Sequence, residues 1–244
     1  MILLDCGNSQ LKAQWHQAGQ LQASYSCAYN RDWTQRLERW LQDLPAKHCY
    51  LASVLDQTRG ARLEQCLEQK FDTAITRFVS MPRALGVTNA YREPERLGID
   101  RWMALLAASE LVHGDVVIID AGSAMTLDLL RADGKHLGGA ILPGINTSLE
   151  VFKRIFEHID FDDPGIAETA EPGCSTEEAI HINYSHNSIE LLPGLVNRWT
   201  SYFDNEATIL LAGGDAVEVQ RELQKPARIV PDLVFQGMAR LVAQ

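Results

Sequence analysis

The chain carries the same short pattern twice, and that repetition narrows its possible folds more than any other feature of its 244 residues. Ile2-Leu3-Leu4 is an apolar run that ends in Asp5-Cys6-Gly7-Asn8-Ser9. Val116-Val117-Ile118-Ile119 ends likewise in Asp120-Ala121-Gly122-Ser123. Each turn leads into a second alternating stretch, from Leu11 to Trp15 or from Thr126 to Leu130. A glycine turn follows, at Ala18-Gly19-Gln20 or Ala132-Asp133-Gly134-Lys135. The pattern reads as strand, tight turn, strand, hairpin, strand, in each half. One apolar run entering Asp-x-Gly arises readily by chance, but two at half-chain spacing favour an internal duplication.

Helical spacing fills the intervals. Trp33, Leu37, Trp40, Leu41 and Leu44 predict a helix over 33–44, and 62–70 predicts a shorter one. Residues 101–112 are strongly apolar and close at His113-Gly114. Further helices are expected over 147–158, 177–199 (with a break near Pro193) and 233–242, and short strands over 50–54, 76–79 and 208–211. Strands alternating with helices in two halves predict an α/β fold, divided into 1–114 and 115–244 without a flexible linker.

Composition removes several classes. Thirty-two Asp and Glu against 22 Lys and Arg give a net charge of −10, unsuited to general binding of nucleic acid or an anionic membrane. An anionic ligand must therefore be gripped locally, by backbone N–H groups, a metal or a few placed cations. The five cysteines are dispersed, with no C-x-x-C pair, which predicts free thiols. The start, Met-Ile-Leu-Leu-Asp, lacks the basic and long apolar regions of a signal peptide, and no run is long enough to span a bilayer. A soluble, cytoplasmic protein is expected.

Within this frame Asp5 ends a buried strand, Gly7 allows a phosphate to approach the backbone, and Asn8, Ser9 and Lys12 offer short donors and a cation. A plain hairpin turn would use the same residues. A second strand-borne carboxylate, Asp120, makes a nucleotide–metal cradle the better reading, since Mg²⁺ favours one or two carboxylates with phosphate oxygens. Residues 208–215 add a strand ending in Gly213-Gly214-Asp215, flat enough for a nucleoside. Gly98-Ile99-Asp100-Arg101 heads the apolar helix. Asp100 suits an N-cap there, but Arg101 would oppose the helix dipole. The pair also suits a hydroxylated, anionic substrate, with Arg101 on the anion and Asp100 taking the hydroxyl proton. Residues 138–144 read as a substrate loop or a simple connection, Ser175 and Glu178 as a capping box, and 91–96 as a mobile surface loop.

Taken in order, D-C-G-N-S-x-x-K, G-I-D-R, D-A-G-S-A-x-T, G-G-A-I-L-P-G, S-T-E-E-A-I and L-L-A-G-G-D resemble the type III pantothenate kinases, from Asp5 to Asp215. The resemblance implies a duplicated ribonuclease H-like fold of the acetate and sugar kinase, Hsp70 and actin superfamily, two halves around an ATP cleft. It implies ATP-dependent phosphorylation of pantothenate to 4′-phosphopantothenate, the first step of coenzyme A synthesis, in a homodimer whose pantothenate pocket draws on both subunits. Asp5, Cys6, Gly7, Asn8, Ser9, Gln10, Leu11 and Lys12 would form the ATP phosphate loop, Asp5 organising Mg²⁺ through water. Ser123 would contact ATP, and Asp120 would bind a monovalent cation, K⁺ or NH₄⁺. Asp100 looks like the general base, with Tyr91, Gly98, Ile99, Asp100, Arg101 and Thr176 lining the pantothenate pocket. Arg101 beside it would keep Asp100 ionised at neutral pH.

Ser9 and Ser123 stand where threonine is commoner in that family, each keeping the hydroxyl, and Ser175 beside Thr176 leaves open which hydroxyl meets substrate. Two rival readings are another small-molecule kinase on this fold and a regulatory accessory factor without turnover. The intact Asp5, Asp100 and Asp120 argue against the second.

Overall fold

A computed structural model describes residues 1–71, 75–155, 174–176, 178, 191–223 and 225–243. Among them the repeat becomes two sheets of one design. In the first, β1 (Ile2–Cys6) runs antiparallel to β2 (Gln10–Gln17), which pairs with β3 (Gln20–Ala28). On its other side β1 is parallel to β4 (Cys49–Ser53), and β4 to β5 (Ile75–Arg77). A small hairpin, β6 (Arg83–Ala84) and β7 (Val87–Thr88), stands outside the sheet. The second sheet has β8 (Val116–Ala121), β9 (Ala124–Leu130), β10 (His136–Pro143), β11 (Thr208–Ala212) and β12 (Ala227–Ile229). Its order, β10-β9-β8-β11-β12, and its strand senses repeat those of β3-β2-β1-β4-β5. Both central strands are buried up to one half-buried aspartate, Asp5 or Asp120, followed by a buried residue. A strand covered on both faces is apolar throughout, so this polar break marks where the sheet meets its turn.

The helices follow the apolar spacing with informative departures. α1 (Trp33–Gln42) buries Trp33, Leu37 and Leu41 against β1 and β2, as expected. α2 (Gln57–Phe71) begins earlier than the apolar pattern indicated, because the Asp56 carboxylate accepts the Arg59 backbone N–H at 2.9 Å and holds a polar first turn. α3 (Ile99–Leu111) and α4 (Ile145–Ile155) lie where expected, the remainder of 147–158 falling outside the described residues. Residues 191–200 are helical through Pro193; the stretch from 179 to 190, where the same helix was expected, also lies outside them. α5 (Ala216–Glu222) was not anticipated, being short and preceded by glycines, whereas α6 (Leu233–Val242) was. The segment read as a loop over 138–144 is mostly strand: β10 continues through Pro143 at the sheet edge, where a proline removes no ladder bond.

By internal contact the chain forms two units, Met1–Glu110 with Asp232–Gln244, and Leu111–Pro231. The sequence division at residue 114 differs from this grouping over the C-terminal helix. α6 packs on β1 and on α3. A Cβ at Gly237 would sit 2.0 Å from the Met103 carbonyl oxygen, so the two backbones meet where only glycine fits. Arg240 then donates to the Leu106 carbonyl at 2.5 Å and the Ser109 hydroxyl at 2.8 Å, and pairs with Glu110 at 2.6 Å. The apolarity of α3 is thereby explained within one chain: Trp102, Met103, Leu105 and Leu106 are all buried.

Candidate active site

In the first unit the turn between β1 and β2 presents two kinds of group. Cys6 and Leu11 are buried in the core, and burial, with Asp5 close by, holds the Cys6 thiol well above its usual pKa. Asn8, Ser9 and Gln10 are exposed. Asp5 and Lys12 are direct cross-strand partners, so carboxylate and ammonium stand on one face of the sheet. The Gly7 N–H donates to the Gln10 carbonyl at 3.1 Å and closes the turn. A contact no local pattern foretold comes from α2: Arg59 donates to the Asn8 carbonyl at 2.8 Å, with its guanidinium 5.0 Å from the Tyr29 ring centroid.

The second cluster of this unit is built on the segment before α3. Ser80, buried, donates to the Leu97 carbonyl at 2.8 Å and ties the ends of the segment together. Leu85 and Gly86, with φ of 51° and 83°, make the tight turn of the β6–β7 hairpin. Asn89 then bonds on several sides, and Tyr91 follows it. The expected loose loop over 91–96 is instead fastened by these bonds and contains a 3₁₀ turn at Pro94–Arg96. Arg101, only 6% exposed, donates to the Tyr91 hydroxyl at 2.8 Å and lies 5.6 Å from that ring's centroid. A charged hydrogen bond of this kind contributes about 1.5–3 kcal/mol, enough to hold a cation at a helix start against the dipole.

Asp100 is not the N-cap. The Gly98 carbonyl accepts the Trp102 N–H at 2.9 Å, which places Asp100 inside the first turn, where its Oδ1 accepts the Arg101 N–H at 2.8 Å. The carboxylate thus complements the dipole and stands beside the cation. Gly98 makes room for it, since a Cβ there would lie 2.5 Å from Asp100 Oδ1. Gly98, Asp100, Arg101 and Tyr91 are therefore one cluster, with Ile99 turned into the core at the helix start.

In the second unit the turn after β8 is pressed between two glycines. A Cβ at Gly213, whose φ is +91°, would lie 2.2 Å from the Ala121 carbonyl oxygen and 2.6 Å from Asp120 Oδ1. A Cβ at Gly144 would lie 2.1 Å from the Gly122 carbonyl oxygen and 2.7 Å from that of Ser123. The Ser123 carbonyl accepts from the Gly144 N–H at 3.1 Å and the Thr147 hydroxyl at 2.5 Å. One carboxylate and the carbonyl oxygens of residues 121–123 thus stand at this turn, where the Ala121 carbonyl also accepts the Asp215 N–H at 3.0 Å. Among the described residues no three His, Cys, Asp or Glu side chains gather as metal ligands.

Register also corrects the comparison between the copies. Lys12 follows Asp5 by seven residues, and equal spacing would set Leu127 against Asp120, but Asp120 pairs with Thr126, because the second turn has one residue fewer between its paired ends. The place of Lys12 is taken by a neutral hydroxyl. Ser175 is engaged in the capping box: its Oγ accepts the Glu178 N–H at 3.1 Å while Glu178 accepts the Ser175 N–H at 3.2 Å. Thr176 follows it, exposed in the first helical turn.

A family model described as type III pantothenate kinase matches residues 1–198. The type III pantothenate kinase of Pseudomonas aeruginosa strain LESB58 is 35% identical over 247 residues, covering 98% of each chain. Among solved structures, a proposed Baf family transcriptional activator from Campylobacter jejuni superposes with a TM-score of 0.63 at 21% identity, over 100% of this chain and 98% of that one. A proposed 2-dehydro-3-deoxygalactonokinase from Sinorhizobium meliloti gives 0.60 at 15% identity, over 99% and 95%. At these identities the two structures establish the duplicated kinase fold, while the sequence matches, covering nearly the whole chain, establish more: the chain belongs to the type III pantothenate kinase family.

Proposed function

We propose that this chain transfers the γ-phosphoryl group of ATP to the 4′-hydroxyl of pantothenate, giving 4′-phosphopantothenate and ADP for coenzyme A synthesis, with Asp100 as the base. The observation that carries the assignment of roles is the Gly98–Asp100–Arg101–Tyr91 cluster in a member of this family. Pantothenate is a carboxylate with hydroxyls, and a protein of net charge −10 must supply a local cation for it. Arg101, already oriented by Tyr91, is that cation, and Asp100 lies beside it to orient the hydroxyl. As the hydroxyl oxygen bonds to phosphorus and the bond to the ADP oxygen breaks, Asp100 takes the hydroxyl proton. Thr176 is the further hydroxyl that the family resemblance assigns to pantothenate.

Phosphoryl transfer needs positioning and charge neutralisation more than covalent chemistry. The backbone from Cys6 to Leu11, with Asn8, Ser9 and Lys12, would receive the phosphates, and Ser123 the nucleotide. Asp5 would hold Mg²⁺ through water; bound with the nucleotide, it would neutralise phosphate charge. Asp120 and the neighbouring carbonyls would hold K⁺ or NH₄⁺. Consumption of ATP and four buried, free thiols suit the cytoplasm, and among the described residues no helix is long and apolar enough to cross a membrane. A coupled assay for ADP tests the reaction: ADP should form with pantothenate and not without it. ADP formed only with a sugar or another acid as acceptor would make this a different kinase, and none with any acceptor a binding protein.

The second part of the reading is a homodimer. Burial of α3 within the chain accounts for its apolarity without a partner subunit. Support comes instead from the second unit, where Ile141 on edge strand β10 and Val151 and Ile155 on α4 are 63, 48 and 61% exposed. Exposed aliphatics gathered on one surface mark interaction sites, and these three lie on elements that follow one another in the chain. Sedimentation at assay concentration should give twice the 27.2 kDa chain mass, and Ile155→Asp should shift it towards the monomer. A fully active monomer would sink the dimer reading.

A further inference from the structure

Asn89 bonds to both flanks of the segment that carries Tyr91. Its backbone N–H donates to the Pro82 carbonyl at 3.0 Å. Its side-chain amide donates to the Met81 carbonyl at 3.3 Å and the Pro94 carbonyl at 3.2 Å, one on each side of the loop. Its Oδ1 accepts the Tyr91 backbone N–H at 2.9 Å. A primary amide presents two donors and an acceptor in one plane on a short stem, and no other side chain of this length supplies all three. The bond to Tyr91 leads directly onward, because the Tyr91 hydroxyl accepts from Arg101 at 2.8 Å.

We infer that Asn89 is a positioning residue for the pantothenate pocket, setting the place of the Tyr91 side chain and, through it, the orientation of the Arg101 guanidinium. The inference rests on the reading of Tyr91 and Arg101 as the substrate side. Asn89 need not touch pantothenate. Its amide joins both flanks of the loop, so the hydroxyl that steers the buried cation is fixed before substrate arrives. Pre-orientation of this kind lowers the ordering cost of binding and acts on one substrate only. Nothing in the described structure connects Asn89 to the turn at Asp5–Lys12, so the affinity for ATP should not depend on it.

The test is steady-state kinetics on the full-length enzyme, varying each substrate with the other saturating. Asn89→Ala should raise KM for pantothenate about tenfold, as for loss of one or two hydrogen bonds, and leave KM for ATP within about twofold. Asn89→Asp keeps the acceptor for the Tyr91 N–H while losing both donors, and should fall between Ala and wild type. In a Tyr91→Ala background, which itself raises KM for pantothenate, Asn89→Ala should add less than about twofold, since residues acting through one another are not additive. Effects that multiply in full, or a parallel rise in KM for ATP, would overturn the positioning role and leave the site assignment standing. A Tyr91→Ala enzyme with normal KM for pantothenate would overturn both. If neither Asn89 variant folds, the residue serves folding and the inference is wrong.

Discussion

Asp100→Asn should give a folded enzyme whose turnover is lower by roughly 10²–10⁴-fold, the usual cost of losing a general base. The amide keeps an oxygen able to accept the Arg101 N–H that Asp100 Oδ1 takes at 2.8 Å, so the first turn of α3 keeps that acceptor. The rest of α3 is held from its other end by Gly237 and Arg240 of α6, which the substitution does not touch. Melting temperature should therefore change little while kcat collapses, and KM for pantothenate should move less than kcat because Arg101 and Tyr91 remain. Gly98→Ala is the companion variant. Its Cβ would lie 2.5 Å from Asp100 Oδ1 and 3.8 Å from Arg101 Cδ, so the carboxylate must swing away while the chemistry of every site residue is retained. Turnover in Gly98→Ala should fall by about tenfold or more. Normal turnover in a folded Asp100→Asn enzyme would leave the residue as a helix-start acceptor alone.

The features legible in the sequence are those carried by local periodicity. Two apolar runs into Asp-x-Gly announced β1 and β8 and the matched sheets around them, because a strand buried on both faces must be apolar and its turn must not be. The Ser175–Glu178 capping box was legible for the same reason, its partners being three residues apart. What escaped was set by contacts distant in sequence. Arg59 reaches the β1–β2 turn from fifty-one residues away. The requirement for glycine at 144, 213 and 237 is a close approach of backbone to backbone, which leaves no trace in the residues on either side. Pairing of Asp120 with Thr126 depended on the length of a turn rather than on any pattern, and one residue was enough to exchange Leu127 for its neighbour. The loop at 91–96 looked loose because its anchor, Asn89, precedes it and donates to backbone carbonyls, which carry no sequence signal.

Replacing K⁺ by Na⁺ at constant ionic strength should lower wild-type turnover at least about tenfold, with Mg²⁺ saturating. The argument begins from the unequal copies. On the first sheet Asp5 faces Lys12 across the strand pair, so a fixed positive charge accompanies the carboxylate. On the second, Asp120 faces Thr126, and the corresponding charge is missing. Gly213 and Gly144 press the turn from two sides, against the Ala121, Gly122 and Ser123 carbonyl oxygens, and on the proposed reading a monovalent cation there supplies the missing charge. Carbonyl oxygens at fixed spacing favour a large, weakly hydrated cation over a smaller one, as a cradle of rigid backbone cannot contract around Na⁺. One positive charge held near a transferring phosphoryl group in a site shielded from water stabilises the transition state far more than the same charge in bulk solution. Asp120→Asn should then be slow in both salts, because the amide oxygen keeps the shape of the cradle without its charge. Gly144→Ala, which forces the Gly122 and Ser123 carbonyls apart, should blunt the preference for K⁺ over Na⁺ in whatever activity remains. Equal wild-type turnover in K⁺, NH₄⁺ and Na⁺ would show that Asp120 serves the turn, or Mg²⁺ through water, and holds no monovalent ion.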